Sequence, residues 1–273
     1  MTRIACCQLA PVFGDVEGNI ARSVEAVRDA AARGARIVVL PELMNTGYVF
    51  ADADEARSLA EPIDGPSVTA WRRLADELDV VVVGGFCELG DDDRVYNSAA
   101  VLVPQEPAVV HRKTHLWDRE RLIFTSGDTA PPVVETAHGR IAPLICYELE
   151  FPEWVRIPAL AGADLIVAPV NWPDLPRPEG ERPGEVIRVQ ADASINRIAI
   201  AVCDRAGTER GVDWTSGSLI VDVDGWPLAI ADYMSSEVTT LIADVDLLDS
   251  RIKKLAGLSD AFADRRTDLY PGG

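Results

Sequence analysis

Apolar residues occur along this chain in two patterns, and each pattern predicts a different secondary structure. Short unbroken apolar runs, such as RIVVL at 36–40 and DLIVAPV at 164–170, are typical of strands that are covered on both faces. Between such runs apolar residues recur every three or four positions, as in Val68, Trp71 and Leu74. This spacing predicts amphipathic helices that turn one face toward a core. Strands and helices are therefore expected to alternate.

The alternation predicts an α/β protein built around a mixed sheet. The expected strands are 3–9, 36–40, 80–86, 95–103, 140–146, 164–170 and 197–203, and the expected helices are 20–31, 68–78, 152–162 and about 185–196. Segments 217–231 and 235–246 predict antiparallel strands, the first with a DG turn at 224–225. Strand–helix–strand units favour parallel pairing and hairpins favour antiparallel pairing. No linker or low-complexity segment divides the sequence, which predicts one domain over 1–273.

Composition and charge narrow the functional classes. The 273 residues include 44 Asp and Glu against 26 Lys and Arg, a formal charge of −18 at pH 7. Such an acidic chain repels phosphate backbones and anionic lipid surfaces, so we expect neither nucleic-acid nor membrane binding. Apolar runs stay short of the roughly 18 residues of a membrane span, and the N-terminus lacks the pattern of a secretory signal. The five cysteines show no CxxC spacing, which favours the reducing cytoplasm over a disulfide framework.

Two segments fit the alternation less well. Residues 171–184, NWPDLPRPEGERPG, are rich in proline and glycine, and irregular loops of this length often form the rim of a functional site. The C-terminal tail, about 260–273, is polar and ends in glycines. We expect the tail either to extend into solvent or to contact a partner subunit.

Polar residues at the ends of apolar strands are the first candidates for chemistry, because open α/β sheets bind ligands beyond the carboxyl ends of their strands. Cys146, Glu42 and Lys113 each lie at the end of an apolar run. A thiol with a pKa near ~8.5 is mostly protonated at neutral pH, so a nucleophilic cysteine needs a base and a cation. Glu42 fits the base and Lys113 fits the cation. Each residue also has an ordinary structural interpretation. Cys146 is then a small buried side chain, Glu42 a carboxylate that caps a turn, and Lys113 part of a solvated basic patch.

Other chemistries have weaker support. His111 and His115 are four residues apart, as in a zinc-binding helix, but the glutamate of HExxH is absent and the surroundings predict a strand and a loop. His138 precedes Cys146 in an expected hairpin turn, which gives a Cys–His pair little support. The sequence contains neither a Walker P-loop nor a GxGxxG after a strand, so no motif indicates nucleotide binding.

Three segments together resemble the nitrilase, or carbon–nitrogen hydrolase, superfamily: LPELMNTGY at 40–48, HRKTHLWDRERLIFTSGD at 111–128 and LICYELEFPEW at 144–154. Each carries one residue of that family's Glu–Lys–Cys triad, here Glu42, Lys113 and Cys146, in the family's order and spacing. Further similarity extends from QLAPVFGDVEGNI to GSLIVDVDGWPLA, so the resemblance covers nearly the whole chain.

The resemblance implies a four-layer αββα sandwich, a homodimer or higher homo-oligomer, and a reaction without cofactor or metal. It implies that Glu42 accepts the proton of Cys146 as sulfur attacks an amide carbon. Lys113 and a backbone N–H, that of Tyr147, then hold the oxyanion. The glutamate protonates departing ammonia, and water hydrolyses the thioester. A second glutamate orients lysine and substrate in the family, and Glu120 is the matching residue here.

Two departures from the family's pattern lie beside the nucleophile. Glu148 stands where relatives with CYD have aspartate, and its longer side chain is expected to shift the loop behind the cysteine. Pro143 lacks a backbone N–H in an expected central strand, which indicates either a local irregularity or a position whose N–H would be unpaired.

The sequence around the nucleophile, CYELEFPE, resembles amidase branches more than nitrilases proper, which tend to carry CWE. It predicts hydrolysis of small aliphatic or amino-acid-type amides to a carboxylic acid and ammonia. Trp172 and Tyr48 are expected in an apolar wall of the acyl pocket, with Asn171 and Tyr147 also contacting substrate; ordinary packing is the alternative for the aromatic residues. N-carbamoyl amino-acid and nitrile hydrolysis are alternatives on the same triad, and a soluble acyltransferase and a non-catalytic scaffold are alternatives of other classes.

Overall fold

Two six-stranded sheets lie at the centre of the molecule, which the computed structural model describes over residues 1–233 and 235–270. The strands are β1 (Thr2–Gln8), β2 (Ile37–Val39), β3 (Val81–Leu89), β4 (Val95–Leu102), β5 (Val109–Arg112), β6 (Val134–Thr136), β7 (Gly139–Pro143), β8 (Leu165–Pro169), β9 (Ala199–Cys203), β10 (Thr208–Glu209), β11 (Val212–Asp213), β12 (Leu219–Val221), β13 (Pro227–Ile230) and β14 (Thr239–Val245). The helices are α1 (Val16–Ala32), α2 (Ala53–Leu59), α3 (Pro66–Leu78), α4 (Pro152–Leu160) and α5 (Gly184–Asn196). The first sheet has the order β14-β1-β2-β3-β4-β5 and the second β13-β12-β9-β8-β7-β6, while β10 and β11 form a separate ribbon.

The two sheets pack face to face between two layers of helices. One apolar cluster contains side chains from both sheets, among them Val39 and Val83 from the first and Val167 from the second. A second cluster joins the outer face of the first sheet to α1 and α3, and a third joins the outer face of the second sheet to α4 and α5. Each buried Val, Leu or Ile contributes roughly 1.5–3 kcal/mol to this packing. The layer order is αββα, as the family resemblance implied.

The helices begin and end at residues suited to those positions. The Asp15 side chain accepts a hydrogen bond from the backbone N–H of Gly18 at 3.1 Å and caps the start of α1. Pro66 and Pro152 begin α3 and α4, where the missing N–H of proline removes no helical bond. Asp79 ends α3 in the left-handed conformation, with φ 53°.

The predicted elements are present, with ends that differ by up to four residues. The sequence did not predict the short elements α2, β6, β10 and β11. β12 and β13 form the expected hairpin around the DG turn. β14 instead pairs antiparallel with β1 at the edge of the first sheet. The last two segments of the apolar pattern therefore belong to different sheets.

Pro143 ends β7 without removing a hydrogen bond from the sheet. The next residue, Leu144, donates to the carbonyl of Val167 in β8 at 3.1 Å. Since alternate residues of a strand face the same neighbour, the nitrogen of Pro143 faces β6, whose pairing with β7 stops at Ile141. Of the two expected explanations, the unpaired position is the correct one.

The two irregular segments lie mostly on the surface of the sandwich, although Asn171 and Trp172 at the start of the first are buried. The loop 171–183 is anchored by a bridge between Pro173 and Trp214. In the C-terminal tail, Phe262 packs against the apolar cluster of α4 and α5 and lies beside the guanidinium of Arg156. Residues 271–273 of the tail lie outside the described residues, and contact with a partner subunit stays a prediction. Among the helices of the described residues, none combines the length and hydrophobicity that crossing a bilayer requires.

Candidate active site

The ends of four strands bring the predicted site residues into one cluster. Glu42 follows β2, Lys113 follows β5, Cys146 follows β7 and Asn171 follows β8. Glu120 joins them from a short 3-10 turn that begins five residues after the lysine. All five side chains are almost completely buried. The residues that follow the carboxyl ends of these strands therefore lie close together, as the rule for ligand sites in open α/β sheets led us to expect.

The Lys113 ammonium lies between two carboxylates. Its Nζ donates hydrogen bonds to Oε1 of Glu42 at 2.7 Å and to Oε1 of Glu120 at 2.8 Å. Asn97, in β4, donates its side-chain N–H to the same two oxygens, at 2.7 and 3.2 Å. Oε2 of Glu120 accepts a bond from the backbone N–H of Trp117 at 2.8 Å. These bonds lie inside the protein, where the low dielectric strengthens them.

Burial and neighbouring charge set the proton affinities of the cluster. Burial raises the pKa of Glu42 to about 7, although the charge of Lys113 and the hydrogen bonds from Lys113 and Asn97 oppose it. Burial lowers the pKa of Lys113, but the charges of Glu120 and Glu42 outweigh burial and raise that pKa. Burial, followed by the charge of Glu42, raises the pKa of the Cys146 thiol well above its usual range. The thiol is therefore protonated at neutral pH and needs a base before it can act as a nucleophile.

Cys146 begins a 3-10 turn, Cys146–Glu150, with its backbone in the left-handed region at φ 49°. This conformation is uncommon for a residue other than glycine and is found at functional turns. Sγ lies 3.8 Å from the carbonyl oxygen of Asn171, whose side chain donates to the carbonyl of Glu42 at 2.9 Å. Asn171 thus links the backbone segments that carry the thiol and the glutamate. Its predicted contact with substrate stays a prediction.

Glu148 connects the turn that begins at Cys146 to the segment that follows β5. Its carboxylate accepts hydrogen bonds from the backbone N–H groups of Ile145 and Thr114, both at 2.8 Å. The ring of His111 contacts the same carboxylate at 2.8 Å. Burial raises the pKa of Glu148, but the charge of His111 and these hydrogen bonds outweigh burial and lower that pKa. The side chain of Glu148, which is longer than the aspartate of relatives, therefore binds the backbone N–H groups of two neighbouring segments.

Close packing of β3 against the glutamate depends on Gly85. A Cβ atom at this position would lie 2.5 Å from Cα of Glu42 and 2.7 Å from the backbone nitrogen of Leu43. Gly85 also accepts a hydrogen bond from the N–H of Met44 at 2.8 Å and donates one to the carbonyl of Pro41 at 3.1 Å. Only glycine permits so close an approach of two backbones. Gly85 therefore fixes the position of the Glu42 backbone against β3.

Two adjacent cavities lie beside the cluster. The small cavity, about 20 Å³, is lined by Cys146, Tyr147, Glu150, Trp172, Leu175 and Glu185. The aromatic cavity, about 190 Å³, is lined by Glu120 and by Tyr48, Phe50, Phe124, Val212 and Trp214. Trp117 and Pro173 line both cavities. The structure thus places Tyr147 and Trp172 beside the thiol and Tyr48 in the aromatic cavity, so the two predicted wall residues lie in different cavities.

The histidines have partners other than the thiol. His111 bonds to Glu148, and the ring of His115 stacks on Phe151 with centroids 4.1 Å apart. The backbone N–H of His138 donates to the Thr136 hydroxyl in the turn between β6 and β7. Within the described residues, no group of three or more His, Cys, Asp or Glu side chains is placed to hold a metal ion.

Sequence analysis missed several residues of the site. Asn97 and the next residue, Ser98, are the buried polar pair in a strand that is mostly apolar, and that position is a signal that points to Asn97. Gly85 carries a weaker signal, because glycine inside a strand often marks close backbone approach. Trp214 is separated from the three motifs by more than fifty residues, and nothing in its local sequence links it to them.

Comparison with known proteins identifies the family of the chain. Residues 3–252 match the sequence profile of the carbon-nitrogen hydrolase family. A nitrilase of Pyrococcus abyssi is 33% identical, covering 99% of this chain and 99% of its own length. An N-carbamoylputrescine amidase of Arabidopsis thaliana is 30% identical, covering 94% of this chain and 90% of its own. The crystal structure of an amidase from Nesterenkonia sp. has a TM-score of 0.79 at 25% identity, covering 98% of this chain and 94% of that chain.

A structure of a variant of the amidase from Nesterenkonia sp. AN1, also at 25% identity and a TM-score of 0.79, carries the acetamide moiety of fluoroacetamide covalently at its active-site cysteine. The resemblance inferred from the three motifs is confirmed by these matches. The chain belongs to the carbon–nitrogen hydrolase family of the nitrilase superfamily, and it is an amidase- or nitrilase-type hydrolase of carbon–nitrogen bonds other than peptide bonds.

Proposed function

We propose that the chain hydrolyses small primary amides to a carboxylic acid and ammonia through a thioester on Cys146. The state of Glu42 carries the proposal. Its Oε1 is bonded to Lys113 and Asn97, whereas Oε2 is buried and accepts no hydrogen bond from the described residues. A buried carboxylate oxygen without a donor is unfavourable, so it indicates a place where a donor binds during the reaction. A thiol, an ammonia nitrogen and a water molecule are donors of this kind.

Each proton in this reaction passes through Glu42. Oε2 takes the thiol proton as Sγ of Cys146 attacks the amide carbon and the carbonyl electron pair moves to oxygen. The ammonium of Lys113 and the backbone N–H of Tyr147 hold the oxyanion, and one such donor is typically worth about 2.7–4 kcal/mol of barrier. Collapse of the intermediate breaks the C–N bond, and the departing nitrogen takes the proton from the glutamate. The products of this half-reaction are ammonia and the thioester.

Hydrolysis of the thioester uses the same groups in reverse. Water enters, loses a proton to Glu42 and attacks the thioester carbon, and Lys113 again faces the oxyanion. Collapse breaks the C–S bond, and the sulfur of Cys146 recovers the proton as the acid leaves. A pKa of about 7 for the glutamate suits both roles, because a group that accepts and returns a proton works best near the pH of its surroundings.

Ammonia release from four substrates tests the proposal. We expect wild type to release ammonia from propionamide and from an amino-acid amide, and Cys146→Ala to release none. Glu42→Gln should lose about 10²–10⁴-fold in kcat, while Glu25→Gln, a matched change at an exposed glutamate on α1, should match wild type. Release chiefly from an N-carbamoyl amino acid or an aliphatic nitrile would overturn the substrate class. Turnover that survives in Cys146→Ala would overturn the mechanism.

We also propose that two copies associate through the outer faces of α4 and α5. Ile157 and Leu160 on α4, and Ile187 and Ile195 on α5, expose apolar surface there. Contiguous exposed apolar surface favours association. Sedimentation should give twice the mass of one chain, and Ile187→Glu should shift it to the mass of one. A single-chain mass for wild type at all concentrations would refute the proposal.

A further inference from the structure

The aromatic cavity has the size and the lining of a binding site for one apolar group. Its volume is about 190 Å³, and an apolar cavity of roughly 150 Å³ is large enough to bind benzene. Tyr48 and Trp214 pack edge to face with ring centroids 5.4 Å apart, and Phe50 and Phe124 pack in the same way at 5.7 Å. Aromatic pairs in this arrangement are favourable beyond the area they bury, so they form a stable wall.

The aromatic cavity begins at the catalytic cluster. Glu120, which bonds to Lys113, is part of its wall. Trp117 and Pro173 line both this cavity and the small cavity, which Cys146 lines. An acyl group attached to the sulfur would therefore lie next to a wall that the two cavities share.

A buried ion pair fixes one side of the aromatic cavity. Glu209 accepts hydrogen bonds from the backbone N–H groups of Tyr48 at 2.8 Å and Val49 at 2.6 Å. Its other oxygen accepts one from Arg205 at 2.6 Å. The Arg205 guanidinium lies over the ring of Trp214, 4.8 Å from its centroid. Because these contacts hold the wall before any ligand arrives, binding does not have to order it.

The charged groups in the wall select against an anionic ligand. Both Glu120 and Asp118 line the cavity. The guanidinium of Arg119, which also lines it, donates to the carbonyl of Ala51 at 3.0 Å. A ligand carboxylate would face two carboxylates against one guanidinium, and it would lose its hydration. An uncharged ligand avoids these unfavourable interactions.

We propose that the aromatic cavity binds the acyl group of the substrate, and that the preferred substrates are amides whose acyl group carries no negative charge and has an apolar substituent about the size of one ring. This inference rests on the proposed amidase activity and specifies its substrate class. Phenylacetamide is the matching probe, acetamide is the probe that lacks the ring, and succinamate is the probe with an anionic acyl chain.

Val212→Phe narrows the cavity and supplies the first test. Val212 lines the cavity and is partly exposed, so a larger side chain there fits without entering the core. We expect kcat/KM of wild type to be at least about tenfold higher for phenylacetamide than for acetamide, because one methylene in an apolar pocket changes it by about 10–200-fold. Succinamate should fall below acetamide. Val212→Phe should lower the ratio of kcat/KM for phenylacetamide to kcat/KM for acetamide about tenfold. Val238→Phe, the same change at an exposed valine, should leave that ratio unchanged. A wild-type ratio near one, or the same ratio in both variants, would overturn the proposal.

Calorimetric binding to Cys146→Ala separates this proposal from the amidase activity. Phenylacetamide should bind this variant and bind about tenfold more weakly once Val212→Phe is added. Binding that depends on Val212, without hydrolysis by wild type, would overturn the amidase activity and support the cavity assignment. Hydrolysis of acetamide that depends on Cys146, with no binding of phenylacetamide, would overturn the cavity assignment and support the amidase activity.

Discussion

Replacing Asn97 by alanine tests whether a single hydrogen bond sets the pKa of Glu42, the proposed base. Asn97 donates to Oε1 of Glu42 at 2.7 Å and to Oε1 of Glu120 at 3.2 Å. A donor to a carboxylate stabilises the ionised form, and the bond from Asn97 lowers the pKa of Glu42. Without it, that pKa must rise further above the value of about 7 that burial, opposed by Lys113, gives it.

The size of the shift follows from the strength of the lost bond. A hydrogen bond to a charged group contributes about 1.5–3 kcal/mol, and one pKa unit corresponds to about 1.4 kcal/mol. The expected rise is therefore about one to two units. The ionised fraction of Glu42 at pH 7 falls from about one half to between about one tenth and one hundredth. In the proposed mechanism Glu42 acts as a base in its ionised form, so kcat/KM at pH 7 should fall about five- to fiftyfold and recover as the pH rises.

The pH dependence of kcat/KM between about pH 5 and pH 10 measures this shift, because its limbs report the groups of the free enzyme. The acidic limb of Asn97→Ala should move to higher pH. Ser98→Ala is the matched control, since Ser98 is the next residue on β4 and donates to Glu88 instead, at 2.5 Å. A rate that falls equally at every pH, with the acidic limb in place, would refute the reasoning. So would the same displacement in Ser98→Ala.

Three further predictions concern the support and the access of the site. Glu148→Ala leaves two backbone N–H groups without an acceptor, and urea unfolding should show a loss of about 2–6 kcal/mol, whereas an unchanged midpoint would contradict its linking role. Gly85→Ala forces the backbone of Glu42 to move, and kcat should fall about 10²-fold, while Gly257→Ala, where a Cβ meets open space, should keep full activity. Cys146 is 5% exposed and the other four cysteines are 0% exposed, so iodoacetamide should alkylate Cys146 first. Peptide mass spectrometry measures the five rates, and equal rates would contradict access to Cys146 from the small cavity.

The apolar pattern predicted the strands and helices of the sandwich, because a strand that is buried on both faces consists almost entirely of apolar residues. Runs such as 36–40 and 164–170 face a sheet on one side and helices on the other, so nearly every position in them is apolar. The same logic failed at 140–146. All but one of these residues are buried, yet the strand ends at Pro143 and Cys146 turns with φ 49°. Hydropathy reports burial and carries no information on backbone dihedral angles.

Partners that are distant in sequence are the second kind of information that the pattern lacks. Glu148 was recognised as a departure from the family's aspartate, but its acceptor role depends on Thr114 and His111, more than thirty residues earlier. Glu209 was not selected at all, since its bonds to Tyr48 and Val49 cross more than 150 residues. A single sequence predicts which residues are polar and buried, and only the fold decides which donors they meet.

The arrangement of charge explains why the proposed triad depends on residues outside the three motifs. Two carboxylates, Glu42 and Glu120, share the one ammonium of Lys113, and all three lie away from water. Burial alone would leave the base protonated at neutral pH, and an unshared ion pair would stabilise its ionised form and weaken it as a base. The charge of Glu120 opposes the effect of Lys113 and raises the pKa of Glu42. The hydrogen bond from Asn97 stabilises the ionised form of Glu42 and lowers that pKa. The balance of these opposing effects keeps the pKa of Glu42 near 7, where it can both take and return a proton.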